Sequence, residues 1–151
     1  SLMMEKINLK NFAILFAVVA LSASILWAHD GVKDPNVMKR MKLMSLMADN
    51  VKILGQMMKK QITFDADLAL ETLTKIGDLS KATPSVFEIN ASDPKSEAKS
   101  IIWDQFDDFT KLSNQLSNSV VESSVLTYDD LRPALMQTAG ACKACHSKYR
   151  E

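Results

Sequence analysis

The chain has 151 residues, 47% of them hydrophobic and 24% charged, and its 18 basic and 18 acidic side chains give a formal charge of zero. This length suits one globular domain with an extension, and the lack of a basic run excludes a typical nucleic-acid-binding protein. Four glycines and four prolines are few for a β-rich chain, whereas nine methionines with many Leu, Ala and Lys residues favour helices. The composition therefore predicts an all-α protein.

The first 28 residues have the organisation of a secretory signal peptide. Lys6 and Lys10 form a short positive region, and the uncharged run over residues 12–28 contains small residues that suit cleavage: Ser22, Ala23, Ser24 and Ala28. At about seventeen residues this run is short for a membrane span, which needs roughly twenty. We predict cleavage near residue 28 and export to the periplasm, with an uncleaved membrane anchor as the alternative. Ser1 and Leu2 have the character of residues left by cloning.

Residues 34–60 are predicted to form the first helix of the mature domain, which comprises residues 29–151. Pro35 stands at the start of this helix, where its missing N–H costs little. Apolar residues recur at the three-and-four spacing of a buried stripe: Val37, Met41, Met44, Ala48, Val51, Gly55 and Met58. Most charged residues fall on the other face, which is expected to be solvated.

A second helix is predicted over residues 65–80, with Asp65 as its N-cap. Its inward stripe consists of Ala69, Leu73, Ile76 and Leu79. The pattern then breaks at several turn-forming residues, among them Pro84. Residues 81–92 are therefore expected to form a surface loop.

A third helix is predicted over residues 93–119. Asp93 and Pro94 can serve as its N-cap and first helical residue. Its apolar stripe is strongly periodic only from about residue 101 and consists of Ile102, Phe106, Phe109, Leu112 and Leu116. It is the third of the four helices that the periodicity indicates.

The fourth helix is predicted over residues 128–149. Thr127 with Asp130 three residues later resembles a capping box in which Asp replaces Glu. Pro133 is unfavourable inside an established helix, so regular α-helix is expected to begin there after a looser turn. One face of this helix carries Leu131, Leu135, Thr138, Cys142, Cys145 and Tyr149.

Both cysteines of the chain lie in the fourth helix, within Cys142-Lys143-Ala144-Cys145-His146. The pattern C-x-x-C-H is the attachment sequence for c-type haem. Two thiols one helical turn apart can bond to the two vinyl groups of one porphyrin, and the adjacent imidazole can ligate the iron. The sequence predicts one covalent haem c per chain, with His146 as an axial ligand. A chain that kept residues 1–28 and was never exported would lack this haem.

Three other roles for the motif fit the sequence less well. A zinc site needs about four ligands, and the other histidine, His29, is far away in the chain. A thioredoxin-type dithiol would open a helix after a strand, whereas this motif closes the last helix. A disulfide across one helical turn would be strained. Haem attachment is therefore the favoured interpretation.

Four amphipathic helices with mostly short connections are typical of an antiparallel up-down-up-down four-helix bundle. In such a bundle the first and fourth helices are neighbours. A haem bound near the C-terminal helix can therefore meet a side chain of the first helix.

The chain resembles the class II c-type cytochromes, the cytochrome c′ and cytochrome c-556 family, across residues 35–150. Four segments carry the resemblance: residues 141–146 with Tyr149 and Arg150, residues 96–99 leading to Ile102 and Trp103, residues 64–66, and Arg40 with residues 42–44 ahead of Leu54 and Gly55. Pro133 and Ser100 depart from the pattern of relatives. The resemblance implies the same bundle and the same covalent haem.

The resemblance also implies which side chain lies opposite His146. In the c-556 branch a methionine of the first helix is the sixth iron ligand, and the alignment places Met44 there, with Met47 as the next candidate. In the c′ branch an aliphatic or aromatic residue leaves the iron five-coordinate. The alternative for Met44 is ordinary core packing, because other methionines share its helix: Met38, Met41, Met47, Met57 and Met58.

Two arginines are implied to lie near the haem. Arg40 corresponds to a family arginine that meets a haem propionate, and its alternative is a solvated surface charge. Arg150, four residues after His146, would lie near the proximal face, and its alternative is a cation that stabilises a helix C-terminus. Trp103 and Tyr149 are expected to pack the bundle.

The expected function is that of a periplasmic one-electron carrier with a low-spin, His/Met-ligated haem, acting with redox partner proteins. The alternative is a five-coordinate haem protein that binds NO or CO.

Relatives often form dimers through their first helices, so a homodimer is also implied. Enzymatic activity is not expected, because no paired carboxylates or activated nucleophile lie near the motif. Membrane contact is expected only if the N-terminal segment is uncleaved.

Overall fold

The computed structural model describes residues 31–151, so the predicted targeting segment, residues 1–28, lies outside the described residues. The described chain forms five α-helices: α1 Pro35–Met58, α2 Ala66–Val86, α3 Ile101–Asp104, α4 Phe106–Glu122 and α5 Leu131–Tyr149. A short 3₁₀-helix, Tyr128–Asp130, precedes α5. The all-α class is therefore confirmed. Within residues 31–151, no helix combines the length and apolar character needed to cross a membrane.

The four long helices α1, α2, α4 and α5 form the predicted antiparallel up-down-up-down bundle. Each long helix packs against the next one in the chain, and α5 returns to pack against α1. Among these four neighbouring pairs, the contact between α2 and α4 is the most extensive and that between α1 and α5 is the least. Helices α1 and α5 are therefore the least closely packed pair of neighbouring long helices.

Side-chain caps fix where three of the helical segments begin. The Asp34 carboxylate accepts hydrogen bonds from the backbone N–H groups of Asn36 at 2.8 Å and Val37 at 3.0 Å. Asp65 accepts one from the N–H of Leu68 at 3.1 Å, as the sequence predicts. The Asp130 carboxylate accepts from the N–H of Thr127 at 2.9 Å, which confirms the capping box. Each cap supplies partners for N–H groups that a helix start leaves unpaired.

The second helix is longer than predicted, because α2 continues through Pro84 to Val86 instead of ending near Ser80. A proline removes the N–H that would donate to the carbonyl four residues earlier, here that of Ser80. The Ser113 hydroxyl of α4 donates to this carbonyl at 2.6 Å, and the Ser80 hydroxyl donates to the Ser113 carbonyl at 2.5 Å. A tertiary hydrogen bond thus replaces the missing helical one, and residues 81–86 are helix rather than loop.

The third helix begins later than predicted, at Ile101 instead of near residue 93, and is interrupted at Gln105. The predicted N-cap Asp93 is used elsewhere: its carboxylate accepts from the backbone N–H groups of Lys33, Asp34 and Lys95. Such side-chain bonds to the backbone compete with helix formation. Gln105, with φ −125° and ψ 40°, then separates the single turn α3 from α4.

The fourth predicted helix, residues 128–149, is divided into the 3₁₀-helix and α5. Helix α5 begins at Leu131, two residues before the expected start at Pro133. Pro133 therefore lies in the first turn of α5, where its missing N–H removes no helical hydrogen bond.

Two hydrophobic clusters fill the bundle. The larger one, here called the long core, runs between the four long helices and includes the fully buried Leu54, Met57, Ile76 and Leu131. The second, here called the aromatic core, consists of Phe87, Ile102, Phe109 and Tyr149, with Trp103 and Phe106 packed against it. Trp103 and Tyr149 thus pack the bundle as predicted. The aromatic core lies at the end of the bundle that carries the C-x-x-C-H motif, since Cys145 packs against it.

We expect Ser113→Ala to lower the free energy of unfolding by about 1–3 kcal/mol, because it leaves the buried Ser80 carbonyl without a donor. Urea denaturation would measure the loss. Ser117→Ala, at another buried serine of α4, is the matched control. In a Pro84→Ala background, where residue 84 regains an N–H, Ser113→Ala should cost clearly less. An equal cost in both backgrounds would show that the proline is not the reason for this bond.

We expect Asp93→Asn to lower the Tm, because it weakens the hydrogen bonds by which the side chain of residue 93 holds the backbone at the start of α1. The three backbone donors hold the pKa of Asp93 below its usual range, those of Lys95 and Asp34 contributing most. A carboxyl with a lowered folded-state pKa stabilises the fold above its unfolded pKa and loses this effect as the pH falls through the folded pKa. The Tm difference between wild type and variant should therefore be present at pH 7 and shrink in acid. A constant difference from pH 7 down to pH 2 would contradict this assignment.

Candidate haem site

The two cysteines of the motif project from α5 toward the two cores. Cys142 packs against the long core and Cys145 packs against the aromatic core. Both side chains are half-buried, and both thiols are free rather than joined in a disulfide. The motif therefore presents two available sulfur atoms at the junction of the two cores.

The protein environment keeps these thiols protonated. Burial raises the pKa of Cys145 to about 11, and the nearby Cys142 and Asp108 add to this effect. Burial also raises the pKa of Cys142. A reactive dithiol needs the opposite, a lowered pKa that yields thiolate near neutral pH. These cysteines therefore do not have the character of a thioredoxin-type site. No group of three or more His, Cys, Asp or Glu residues suited to a metal ion is found within residues 31–151.

His146 follows Cys145 directly and is exposed on α5. Its surroundings lower its pKa, chiefly by desolvation and further through the positive charge of Arg150, while Glu97 opposes the shift. A lowered pKa favours the neutral imidazole, which is the form that can ligate a metal.

The C-terminal end of α5 is fastened to the segment that precedes α3. The backbone N–H of Lys99 donates to the Tyr149 carbonyl at 2.9 Å, and that of Glu151 donates to the Glu97 carbonyl at 2.8 Å. These bonds flank an isolated antiparallel bridge between Ala98 and Arg150. Arg150 also forms an exposed ion pair with Glu97, its Nε lying 2.7 Å from Oε2. Arg150 therefore fixes the end of the motif helix as well as carrying charge there.

Asp108 of α4 connects two residues that follow His146. Its carboxylate accepts from Lys148 Nζ at 2.7 Å and from the hydroxyl of the buried Tyr149. The bonds from Lys148 and Tyr149 hold the pKa of Asp108 below its usual range. Nothing in the local sequence indicated this network, because α4 and the chain end meet only in the folded bundle.

Met44 occupies a distinctive position among the methionines of α1. It is half-buried and packs against both the long core and the aromatic core. Cys142 contributes to the first cluster and Cys145 to the second. Met47, the next candidate, is instead buried within the long core. Met44 is therefore the α1 methionine that shares both clusters with the two motif cysteines.

Arg40 is buried, with only 3% of its surface exposed, so the interpretation as a solvated surface charge is wrong. Its guanidinium lies over the rings of Phe87 and Trp103, with distances of 5.2 and 4.9 Å from Cζ to the ring centroids. Its Nη2 donates to the carbonyls of Ile89 at 3.0 Å and Ala91 at 2.7 Å. Desolvation lowers the pKa of Arg40, and Asp34 opposes this shift.

The unpaired atoms of Arg40 give a test of whether a haem fits this end of the bundle. Its Nε and Nη1 are buried and have no hydrogen-bond partner. Unpaired buried N–H groups on a cation are costly, and a carboxylate satisfies them well. A haem carries propionate carboxylates, free thiols at helical spacing can bind its vinyl groups, and neutral imidazole and thioether sulfur both ligate iron. The residues present therefore fit haem c.

A comparison with known proteins identifies the family. The family model described as Cytochrome C′ matches residues 36–150. The chain belongs to the cytochrome c′ family. Cytochrome c-554 of Cereibacter sphaeroides is 27% identical over 92% of this chain and 94% of its own length. Cytochrome c-556 of Agrobacterium tumefaciens, strain II Chrys, is 33% identical over 76% of this chain and 95% of its own length.

Solved structures of cytochromes c′ share the fold. That of Rhodopseudomonas palustris has a TM-score of 0.72 at 22% identity and covers 79% of this chain and 98% of its own. That of Rubrivivax gelatinosus has a TM-score of 0.63 at 25% identity and covers 74% of this chain and 91% of its own. The cytochrome c′ family comprises proteins with covalent haem c that carry electrons or bind gases, and its members are not typical enzymes.

We expect Arg40→Ala to lower the free energy of unfolding of this cytochrome by about 2–3 kcal/mol, because it removes two hydrogen bonds and two cation–π contacts. Arg40→Lys should recover less than half of the free energy of unfolding that Arg40→Ala loses, since an ammonium group lacks the planar, forked arrangement of donors of a guanidinium. Lys39→Ala, at the exposed neighbouring position, should change stability by no more than about 0.5 kcal/mol. Urea titration of all three variants would check this order, and equal losses at positions 39 and 40 would contradict it.

Proposed function

We propose that this family member is a periplasmic monohaem cytochrome that carries one electron. Cys142 and Cys145 anchor the haem, His146 is the proximal iron ligand and Met44 is the distal ligand. The observation that carries the proposal is the position of Met44, the α1 methionine packed against both clusters that contain the motif cysteines. This placement supports ligation from the helix opposite α5.

The chemistry of the side chains fits a carrier. Haem c, when bound, supplies a one-electron iron couple. The Met44 thioether and the His146 imidazole would both be neutral donors to the iron, and a ligand set that is the same in both oxidation states would need little rearrangement when one electron moves. The half-buried Met44 and the aromatic core limit the access of water to this end of the bundle. Arg40 would hold a propionate through the N–H groups of its two unpaired nitrogens, Nε and Nη1.

The assignment to the periplasm rests on the predicted signal peptide. The predicted signal peptide, residues 1–28, would carry the chain to the compartment where haem is attached to thiols. Soluble redox proteins are the natural partners of such a carrier, and a homodimer through α1 is part of the same proposal. Membrane attachment belongs to it only if residues 1–28 are retained.

Binding of NO or CO is the second candidate function. It is favoured by the packing between α1 and α5, the helices that carry Met44 and the motif cysteines, which is the least extensive among the neighbouring pairs of long helices. A small gas could bind a five-coordinate iron if Met44 only packed the core. The two functions therefore differ in one bond, that between the Met44 sulfur and the iron.

Replacing Met44 by Ala in the haem-loaded protein tests the ligand. We expect the variant to lose the low-spin absorption spectrum of the native protein and to bind CO readily, because the iron loses its sixth ligand. Met47→Ala is the matched control and should keep the low-spin spectrum. A native protein with a five-coordinate spectrum and ready CO binding would refute Met44 ligation and favour the gas-binding function.

A further inference from the structure

The charges of this neutral protein are separated between the two halves of the bundle. Residues 33–60 and 131–151, which contain α1 and α5, carry eleven Lys and Arg residues and three Asp and Glu residues. Residues 61–130, which contain α2, α3 and α4, carry five Lys and Arg residues and thirteen Asp and Glu residues. The α1–α5 half therefore has a formal charge of +8 and the other half one of −8. A charge separation of this size orients a molecule in the field of a charged partner.

The positive half contains a groove between α1 and α5 of about 450 Å³. Lys52 and Lys59 line its α1 side and Arg132 lines its α5 side. Its remaining lining is apolar or amide: Val51, Gly55, Gln56, Met58, Gln61, Leu135, Met136 and Ala139. No acidic residue lines the groove, and Met136 is 68% exposed. The groove thus combines an apolar floor with uncompensated positive charge.

The positive surface continues from the groove to the haem motif. Arg132, Met136, Ala139 and Lys143 recur at the spacing of one face of α5, and Lys143 lies between the two motif cysteines. The ion pairs found within residues 31–151 join Lys75 to Glu71, Lys148 to Asp108 and Arg150 to Glu97. The four cations Lys52, Lys59, Arg132 and Lys143 thus have no ion-pair partner in the described part of the chain.

We propose that this groove docks an acidic surface of the redox partner, an inference that rests on the proposed electron-carrier function. Charge complementarity identifies the occupant, because an acidic protein surface pairs with four unpaired cations and steers the encounter. At about 1.5 Å per helical residue, Arg132 and Lys143 are roughly 16 Å apart, too far for one small anion to bridge. The surface is concave, which suits a protruding protein segment better than a flat membrane. A partner seated there lies one helical turn from Cys142.

Binding of poly-L-glutamate to the haem-loaded protein tests the docking surface. The groove variant carries Lys52→Glu, Lys59→Glu and Arg132→Glu. The control variant carries Lys81→Glu, Lys95→Glu and Lys111→Glu, the same change in net charge at exposed lysines of the acidic half. At low ionic strength we expect the groove variant to bind poly-L-glutamate about tenfold more weakly than wild type does. The affinity of the control variant should differ from that of wild type by much less. Equal losses in both variants, or none in either, would overturn the proposal.

Other occupants are outcomes of the same experiment. Vesicles of phosphatidylglycerol form a second arm. If the groove cations are needed for vesicle binding while poly-L-glutamate does not bind, the occupant is a membrane and the proposal fails. If sedimentation shows a wild-type dimer that the groove variant alone disrupts, the occupant is a second copy and the proposal also fails.

Electron transfer to small reagents links the surface to the haem. The groove variant should reduce the anion hexacyanoferrate(III) more slowly than the control variant does, and a cationic cobalt(III) phenanthroline complex faster. Equal rates in the two variants would overturn docking beside the haem and leave the carrier function intact. A protein that binds poly-L-glutamate through the groove but transfers no electron to either reagent would instead refute the carrier function. The two failures are therefore distinguishable.

Discussion

The buried guanidinium of Arg40 determines how one end of the bundle is built. It lies over Phe87 and Trp103, and it ties α1 to the carbonyls of Ile89 and Ala91 beyond α2. This arrangement joins the first helix to the segments that precede and form α3. Two of its nitrogens, Nε and Nη1, have no hydrogen-bond partner in the described part of the chain, so the hydrogen-bonding capacity of this buried cation is only partly used. These unpaired nitrogens are the observation behind the proposed contact between Arg40 and a haem propionate.

Local signals in the sequence account for much of the fold. The caps at Asp65 and Asp130 were predicted, because a capping side chain bonds to N–H groups two or three residues away. The wrong bounds of α2 and α3 have causes distant in sequence. Pro84 is accommodated by Ser113, and Asp93 is occupied by Lys33 and Asp34. A pattern read along the chain contains neither partner.

In the candidate site, too, some residues are indicated by the local sequence and others are brought together only by the fold. Cys142, Cys145 and His146 form a contiguous motif, so the sequence alone indicates their chemistry. The burial of Arg40 depends on aromatic residues that reach it from other segments. The attachment of the chain end to Glu97 and Asp108 likewise joins residues more than forty positions apart. The charge of each segment can be counted from the sequence. That the two positive segments, which contain α1 and α5, are neighbours follows only from the packing of these helices in the bundle.

Pro84 has a consequence for how the chain folds. The last turn of α2 has a carbonyl at Ser80 that no N–H within the helix can reach, and its donor is on α4. An isolated α2 would expose that carbonyl to water and fray there. The turn becomes stable only when α4 docks, so local helix formation and tertiary assembly are coupled at this point. The end of α2 bears Phe87, the ring beneath Arg40. The position of Phe87 beneath Arg40 therefore depends on the docking of α4 against α2 as well as on helix formation within α2 itself.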